Sequence, residues 1–455
     1  MQASNQIPGP PSHFLLGNLA EFKRNPLACM IAWQRTYGDL MCFKLGPKEF
    51  YLISHPDLAE LALTQQQEDF VKIYDPNKPN GLALILGQGL VTSSGDLWRK
   101  QRKLIQPVFH RSNVYTMLPT MASACQKLMA KWDELPPDAT VNIADEMLRL
   151  TVEVITQTMF GTSVLEQIEQ IAPALETGLR FAAQTAMNPL RPPLFIPTPG
   201  NRRFMRARRL LDELIYGIIA QRRANSAGNN DLLQMLLDAE DPDTGEKMGD
   251  RQIRDEVLTI FSAGHETTAT ALTWTLALLA RNPEPLSRLK DELDKTLGGK
   301  TPGVNDLDRL TYTKAVLEES LRIRPPVGIT LRKVAKDTQL QGCSLKAGGI
   351  AVFCIYNMHH HADFWGQSEA FDPSRFLAAD KRNKAYMPFG IGHRYCAGTH
   401  FALVEGQLLL AMLLQKYDFQ LSDDNLPEME MVVTVKPVGG LPMRVRRLGS
   451  NWAGD

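Results

Sequence analysis

The 455-residue chain has no net charge, no long hydrophobic run and no cysteine framework. Each absence removes a class of function. Fifty basic residues balance fifty acidic ones. No global field therefore draws the chain to nucleic acid, and any charged docking face must be local. Crossing a bilayer takes about 20 apolar residues in succession. The best run, Val257 to Ala280, is interrupted by His265, Glu266 and several threonines. It reads as a buried helix, and no transmembrane anchor is expected. Met-Gln-Ala-Ser-Asn-Gln leads straight into Pro8-Gly9-Pro10-Pro11, with no apolar signal region. The six cysteines (Cys29, Cys42, Cys125, Cys343, Cys354 and Cys396) are scattered, with no CxxC pair. That pattern suits a reduced, cytoplasmic setting and leaves each cysteine free to act singly as a metal ligand. No internal repeat or long low-complexity linker is present.

What remains is an ordinary globular composition, 44% apolar and 22% charged. Strand-like runs occur early, at Leu40–Leu45 and Phe50–Ser54. Helical patterns dominate the middle. Asn201 to Arg223 predicts a charged amphipathic helix, broken by Ala224-Asn-Ser-Ala-Gly-Asn-Asn230. Asp241 to Glu246 is turn-rich, and the longest predicted helix follows it, over Asp250 to Arg281. Pro189 to Pro199 holds five prolines in eleven residues. It reads as an extended connector or as a lid over a pocket. Met431–Val435 and Met443–Arg447 flank Gly439-Gly440 and predict a hairpin.

The chemistry concentrates in Phe389-Gly-Ile-Gly392-His-Arg394-Tyr-Cys396-Ala-Gly398. Glycines allow backbone turns that bring amides toward the sulfur. The helical run Phe401 to Leu414 follows, and a helix N-terminus favours thiolate over thiol. A sulfur held this way suits axial ligation of haem iron, where a thiolate pushes electron density onto the metal. Arg394 is placed to pair with a propionate carboxylate, and Phe389 offers apolar cover. The competing reading is a buried core cysteine.

Three further patterns bear on that choice. In Ala263-Gly264-His265-Glu266-Thr267-Thr268, residues 263 and 267 share a helix face. Thr267 can bond back to the Ala263 carbonyl, loosening the helix into a notch for oxygen and water. Gly264 would let a flat cofactor approach, and Glu266, about 100° round the helix, would relay protons. Glu319-Ser-Leu-Arg322 sets opposite charges three apart, where they can pair. Trp98-Arg-Lys-Gln-Arg102 sets an indole and a guanidinium one turn apart, suited to a propionate. His359-His360-His361 cannot all face one way, so zinc is poorly served; structural or hydrogen-bonding roles are expected.

The loop from Phe389 to Gly398 resembles the signature loop of the cytochrome P450 family. Ala263 to Thr268 resembles its oxygen-activating helix. Glu319-x-x-Arg322 and Phe371-Asp-Pro373-Ser-Arg375-Phe376 resemble its buried triad, and Trp98-x-x-x-Arg102 its propionate-binding helix. The motifs occur in family order along nearly the whole chain. The resemblance implies the family's prism fold, mainly α with a smaller β-rich lobe (α+β), as a single haem domain over residues 1–455 with no fused reductase. It implies haem b as cofactor and Cys396 as metal ligand. Glu266 and Thr267 would be catalytic. Trp98, Arg102, Ala263, Gly264, Arg332, Phe389, Arg394, Cys396 and Gly398 would bind the cofactor, and Glu319, Arg322 and Arg375 would form the structural triad.

It also implies O2 and a separate ferredoxin- or flavodoxin-type electron donor, docked where Arg99, Lys100, Lys103, Lys381, Arg382 and Lys384 cluster. The chain is expected to be a monomer. The candidate pocket segments are Ile73–Leu86, Pro189–Pro199, Val327–Leu331 and Pro437–Leu441. Their apolar content favours a fatty acid, terpenoid or retinoid-like substrate for hydroxylation or epoxidation. Two alternatives remain at this point: a haem-thiolate isomerase or peroxygenase, and a non-catalytic haem-binding sensor.

Overall fold

The computed structural model describes residues 7–73, 75, 79–137, 139–187, 192–225, 231–240, 245, 247–378, 383–423 and 425–449. Pro189, Lys381, Arg382, residues 226–230 of the expected break, most of the 241–246 turn and residues 74 and 76–78 of one candidate pocket segment lie outside them. The described residues divide into two compact units, each drawn from separated stretches. One takes residues from 1–73, 318–396 and 429–435; the other takes them from 74–317, 397–428 and 436–455.

The first unit is organised around a five-stranded sheet. Its order is Leu40–Leu45, Lys48–Ile53, Ile350–Cys354, Ile329–Val334 and Phe70–Val71. The first two strands form an antiparallel hairpin with Leu40 opposite Ile53, turned at Gly46, whose φ is 60°. Met41, Phe43 and Leu45 are buried while their neighbours are less so, the period-two signature of a half-buried strand. Ile350–Cys354 is buried at every position, as befits a strand with partners on both sides and cover on both faces. It runs parallel to Lys48–Ile53 and antiparallel to Ile329–Val334. Tyr51, Ile53, Phe70, Val334, Phe353, Met358 and Met387 close the core over this sheet.

The second unit is built on helices. Its axis is Asp250–Arg281, 32 residues long, which begins after the extended Gly249 and stops at Asn282, just before Pro283. Its threonines survive burial because their hydroxyls bond back along the helix. Thr273 donates to the Ala269 carbonyl and Thr275 to that of Ala271, both at 2.7 Å. The helix packs against Ile143–Phe160. Ile168–Met187 and Pro199–Ala224 form a second pair, with Phe181 and Phe204 stacked 4.1 Å apart. The charged helix starts two residues before its expected position: Thr198 caps it, accepting from the Asn201 N–H at 3.2 Å, and Pro199 fills the first turn. Thr399–Leu414 is buried along most of its length.

The expected hairpin around Gly439-Gly440 does not form. Pro442–Arg447 lies instead between Ala139–Asn142 and Tyr417–Leu421, antiparallel to both. Met443 faces Val141 on one side and Leu421 on the other. The Met431–Val435 stretch is divided between two short strands, Met429–Met431 and Val435–Pro437. Local alternation identified the strand correctly, but its partners are remote in sequence. Among the described residues no helix is long and apolar enough to cross a membrane.

Candidate active site

In the first unit, the sulfur loop is a chain of tight turns. Gly390 and Gly392 take φ of 71° and 73°, the left-handed region where a side chain is strained. A Cβ on Gly392 would also stand 2.2 Å from the Leu63 carbonyl oxygen. The Cys396 N–H donates to the Phe389 carbonyl at 3.0 Å, and Tyr395 N–H to that of Gly392 at 3.0 Å. Of the six cysteines, Cys396 alone is exposed. Burial pushes the thiols of Cys125 and Cys354 up to about 12, which leaves them inert. The buried-core reading of Cys396 is therefore removed. Gly398 takes an ordinary φ of −86°, so its backbone does not demand glycine.

Arg332, on Ile329–Val334, is 5% exposed. Its Nη1 donates to Thr330 Oγ1 at 3.0 Å and to the Leu331 carbonyl at 2.9 Å, neither of which is a charge. Burial draws its pKa down to about 10. Nearby Lys72 has no hydrogen-bond or ion-pair partner among the described residues. Burial, then repulsion from Arg332 and Arg394, pushes its pKa down to about 7. Lys72 and Arg332, two cations with no charged partner among the described residues, call for an anion. Two propionates are such an anion, so these residues fit a haem. Sequence reasoning missed Lys72: one lysine after a two-residue strand carries no pattern.

Glu319, Arg322 and Arg375, the expected triad, lie together in the first unit. Glu319 and Arg322 are each fully buried. All five guanidinium donors of Arg322 are used. Nε and Nη2 reach the two Glu319 oxygens at 2.7 Å each. Nη1 serves the His359 and Ser368 carbonyls at 3.0 and 2.7 Å, and Nη2 also serves that of Ala370 at 3.0 Å. Arg375 stands off at 3.5 Å from Glu319 Oε1 and donates to the Gln367 carbonyl. The three histidines diverge, as expected from their adjacency. His359 bonds to the Arg322 carbonyl and the Met387 N–H, His360 stacks on Tyr356, and His361 reaches Asp39. No metal-binding cluster occurs among the described residues.

In the second unit, Thr267 Oγ1 donates to the Ala263 carbonyl at 2.8 Å, and Ala263 is exposed on that face of the long helix. A Cβ on Gly264 would lie 2.7 Å from Ile155 Cδ1, so its bare backbone accommodates the neighbouring helix Ile143–Phe160. Glu266 is 6% exposed and is ion-paired with Lys436, Nζ to Oε1, at 2.5 Å. Trp98 and Arg102 lie one turn apart on Gly95–Ile105, both partly buried, and Arg102 Nε donates to Gln106 at 3.2 Å. Of the expected basic patch, Arg99 pairs with Asp96. In the first unit Lys384 pairs with Asp57 at 2.5 Å.

Three more acids of the second unit escaped the sequence reading. Asp255 accepts from the Gln88 N–H and Glu256 from the Leu90 N–H, at 2.8 and 2.9 Å. Burial raises Glu256 to about 8. Glu405, on Thr399–Leu414, is 1% exposed, and neither carboxyl oxygen has a hydrogen-bond partner among the described residues. The Thr268 hydroxyl beside it turns to the Gly264 carbonyl at 3.2 Å. Burial raises Glu405 to about 8. An acid within a mostly apolar helical run is the one signal that could have found it.

The sequence profile of the cytochrome P450 family matches residues 7–441, and the chain belongs to that family. It is similar to cyclooctat-9-en-7-ol 5-monooxygenase of Streptomyces melanosporofaciens, at 34% identity over 90% of this chain and 88% of the relative. It is also similar to pentalenene oxygenase of Streptomyces avermitilis, at 32% over 90% of each chain. With 11-oxo-beta-amyrin 30-oxidase of Glycyrrhiza uralensis it shares 33% over 84% and 77%. The protein is thus an oxidoreductase of the monooxygenase kind. The family implies a haem-thiolate cofactor, a redox partner, dioxygen and an organic substrate.

Proposed function

We propose that this chain is a single-domain haem b monooxygenase that hydroxylates or epoxidises a terpenoid skeleton, fed by a separate ferredoxin- or flavodoxin-type donor. The relatives named for cyclooctatenol and pentalenene support the substrate class, as does the apolar character of Val327–Leu331 and Pro437–Leu441. Cys396 would ligate the iron. Lys72, Arg332 and Arg394, with Trp98 and Arg102, would hold the propionates. When bound, a thiolate-ligated haem supplies the reductive activation of dioxygen. Thr267 holds a proton at Oγ1, and its bond to the Ala263 carbonyl fixes where that proton points. Glu266 moves protons inward from solvent to that hydroxyl. Glu319, Arg322 and Arg375 set the backbone behind the sulfur loop and touch no reacting atom.

The observation that carries the reading is the Thr267–Ala263 bond on an open helix face, one residue from an ionisable acid. Isomerase and peroxygenase relatives can dispense with that pair, and in a sensor it would be unexplained. The test is NAD(P)H-coupled oxygen uptake with a donor system and a panel of cyclic terpenes under 18O2. A labelled product carrying one oxygen atom is expected. Turnover with peroxide alone, or rearranged product without label, would overturn the proposal.

A further inference from the structure

The reading of Glu266 as the proton-delivering acid leaves its ion partner without a role. Lys436 lies in the short strand Val435–Pro437, 170 residues further along the chain. Its Nζ is 2.5 Å from Glu266 Oε1. The lysine side chain is 33% exposed and the glutamate side chain 7%. One end of this pair therefore touches solvent, while the other is enclosed beside Thr267.

Of the other titratable groups on the elements packed here, His265 and Glu153 are bonded elsewhere and Glu405 is not. His265, the preceding residue, is 3% exposed, and its Nδ1 lies 2.5 Å from the Phe261 carbonyl. Burial lowers its pKa. Glu153, on Ile143–Phe160, is bonded to Lys127 and Gln157. Glu405 on Thr399–Leu414 has no ionic partner among the described residues.

We propose that Lys436 is a positioning residue for proton delivery: it pins the Glu266 carboxylate in one orientation toward Thr267 and forms the solvent end of the path. The function depends on the reading of Glu266 given above. The proton balance is simple. A hydronium ion from solvent gives a proton to the Glu266 carboxylate as the ion pair loosens, leaving water. The carboxylic acid passes a proton to Thr267 Oγ1 as that hydroxyl gives up its own to the dioxygen being reduced, where it ends in the water formed, and the carboxylate returns to Lys436. No redox equivalent is consumed in this relay. A lone buried carboxylate would have neither a fixed direction nor a polar exit.

The test compares Lys436→Met, Lys436→Arg, Glu266→Gln and the Met/Gln double variant, each as haem-loaded protein. Product formed per NAD(P)H consumed should fall about fivefold or more in Lys436→Met, while the substrate dissociation constant, read from the haem spin state, stays within about twofold; general acid–base groups contribute about 10²–10⁴-fold, and a positioning partner a fraction of that. Lys436→Arg should restore most of the yield. The double variant should be no worse than Glu266→Gln alone.

A second readout needs no turnover. Thermal midpoints of the four apoproteins should show non-additive losses for the two single changes. Intact yield in Lys436→Met beside a damaged Glu266→Gln would overturn the lysine's role and spare the acid's. Intact yield in Glu266→Gln would overturn both. Losses that multiply in the double variant, or no rescue by arginine, would also overturn it.

Discussion

Glu405 offers a stability experiment whose sign and size follow from its surroundings. The carboxyl is 1% exposed with both oxygens unpartnered among the described residues, and burial lifts its pKa from 4.5 to about 8. The native state therefore keeps a proton that the unfolded chain releases. Stability from that proton is fully present below about pH 4.5 and is lost as pH rises toward 8. Linkage sets the slope at about 1.4 kcal/mol per pH unit, or about 5 kcal/mol across the window. Unfolding entropy of about 2.1 cal/mol/K per residue makes each kcal/mol worth about 1 °C in a chain this long.

Glu405→Gln keeps the shape and removes the titration. Its midpoint relative to the parent should rise by up to about 5 °C between pH 5 and pH 8, measured by scanning calorimetry at one scan rate. Parallel curves for parent and variant would refute the neutral buried acid. Glu256, raised to about 8 by the same cause, should give a second slope of the same sign in Glu256→Gln. The two should add, since Thr399–Leu414 and the start of the long helix hold them in separate surroundings.

Three further outcomes are expected. Cys396→Ser should abolish the red-shifted Soret band of the reduced carbon monoxide complex; an unchanged band would remove Cys396 as ligand. Arg322→Ala should destabilise the fold by about 3–5 kcal/mol, because it strands a buried carboxylate; equilibrium unfolding in urea reads this, and a loss below about 1 kcal/mol would contradict the five-bond network. Lys72→Ala should speed haem transfer to apomyoglobin, with Arg332→Ala doing so in greater measure because it is the more buried; equal retention in all three proteins would dismiss the cation cluster as a propionate site.

What the sequence revealed, and what it hid, follows from the range of the forces involved. Leu40–Leu45 and Asp250–Arg281 coincide with their predicted spans because alternation, helical periodicity and the flanking Gly249 and Pro283 are all local signals. The sulfur loop was equally legible, since Gly390 and Gly392 state their own backbone geometry. Strand Pro442–Arg447 was found but misplaced, because its register depends on Val141 and Leu421 far away. The packing of Ile155 against Gly264 was not legible, because it comes from another helix. Lys72 and Lys436 were invisible: a lone lysine acquires meaning only from what the fold sets beside it, Arg332 in one case and Glu266 in the other.

The Arg322 network has a consequence for exchange between relatives. Residues 359–370 follow no regular ladder of their own at most positions, and their carbonyls at His359, Ser368 and Ala370 terminate on a single guanidinium. That makes the stretch from Glu319 to Arg375 one inheritable block. A chimera with a crossover inside it would combine an arginine from one parent with a carbonyl path drawn for another. Crossovers outside the block leave the network whole, so recombination libraries built from this chain and its relatives should yield haem-binding offspring chiefly when they carry the block intact.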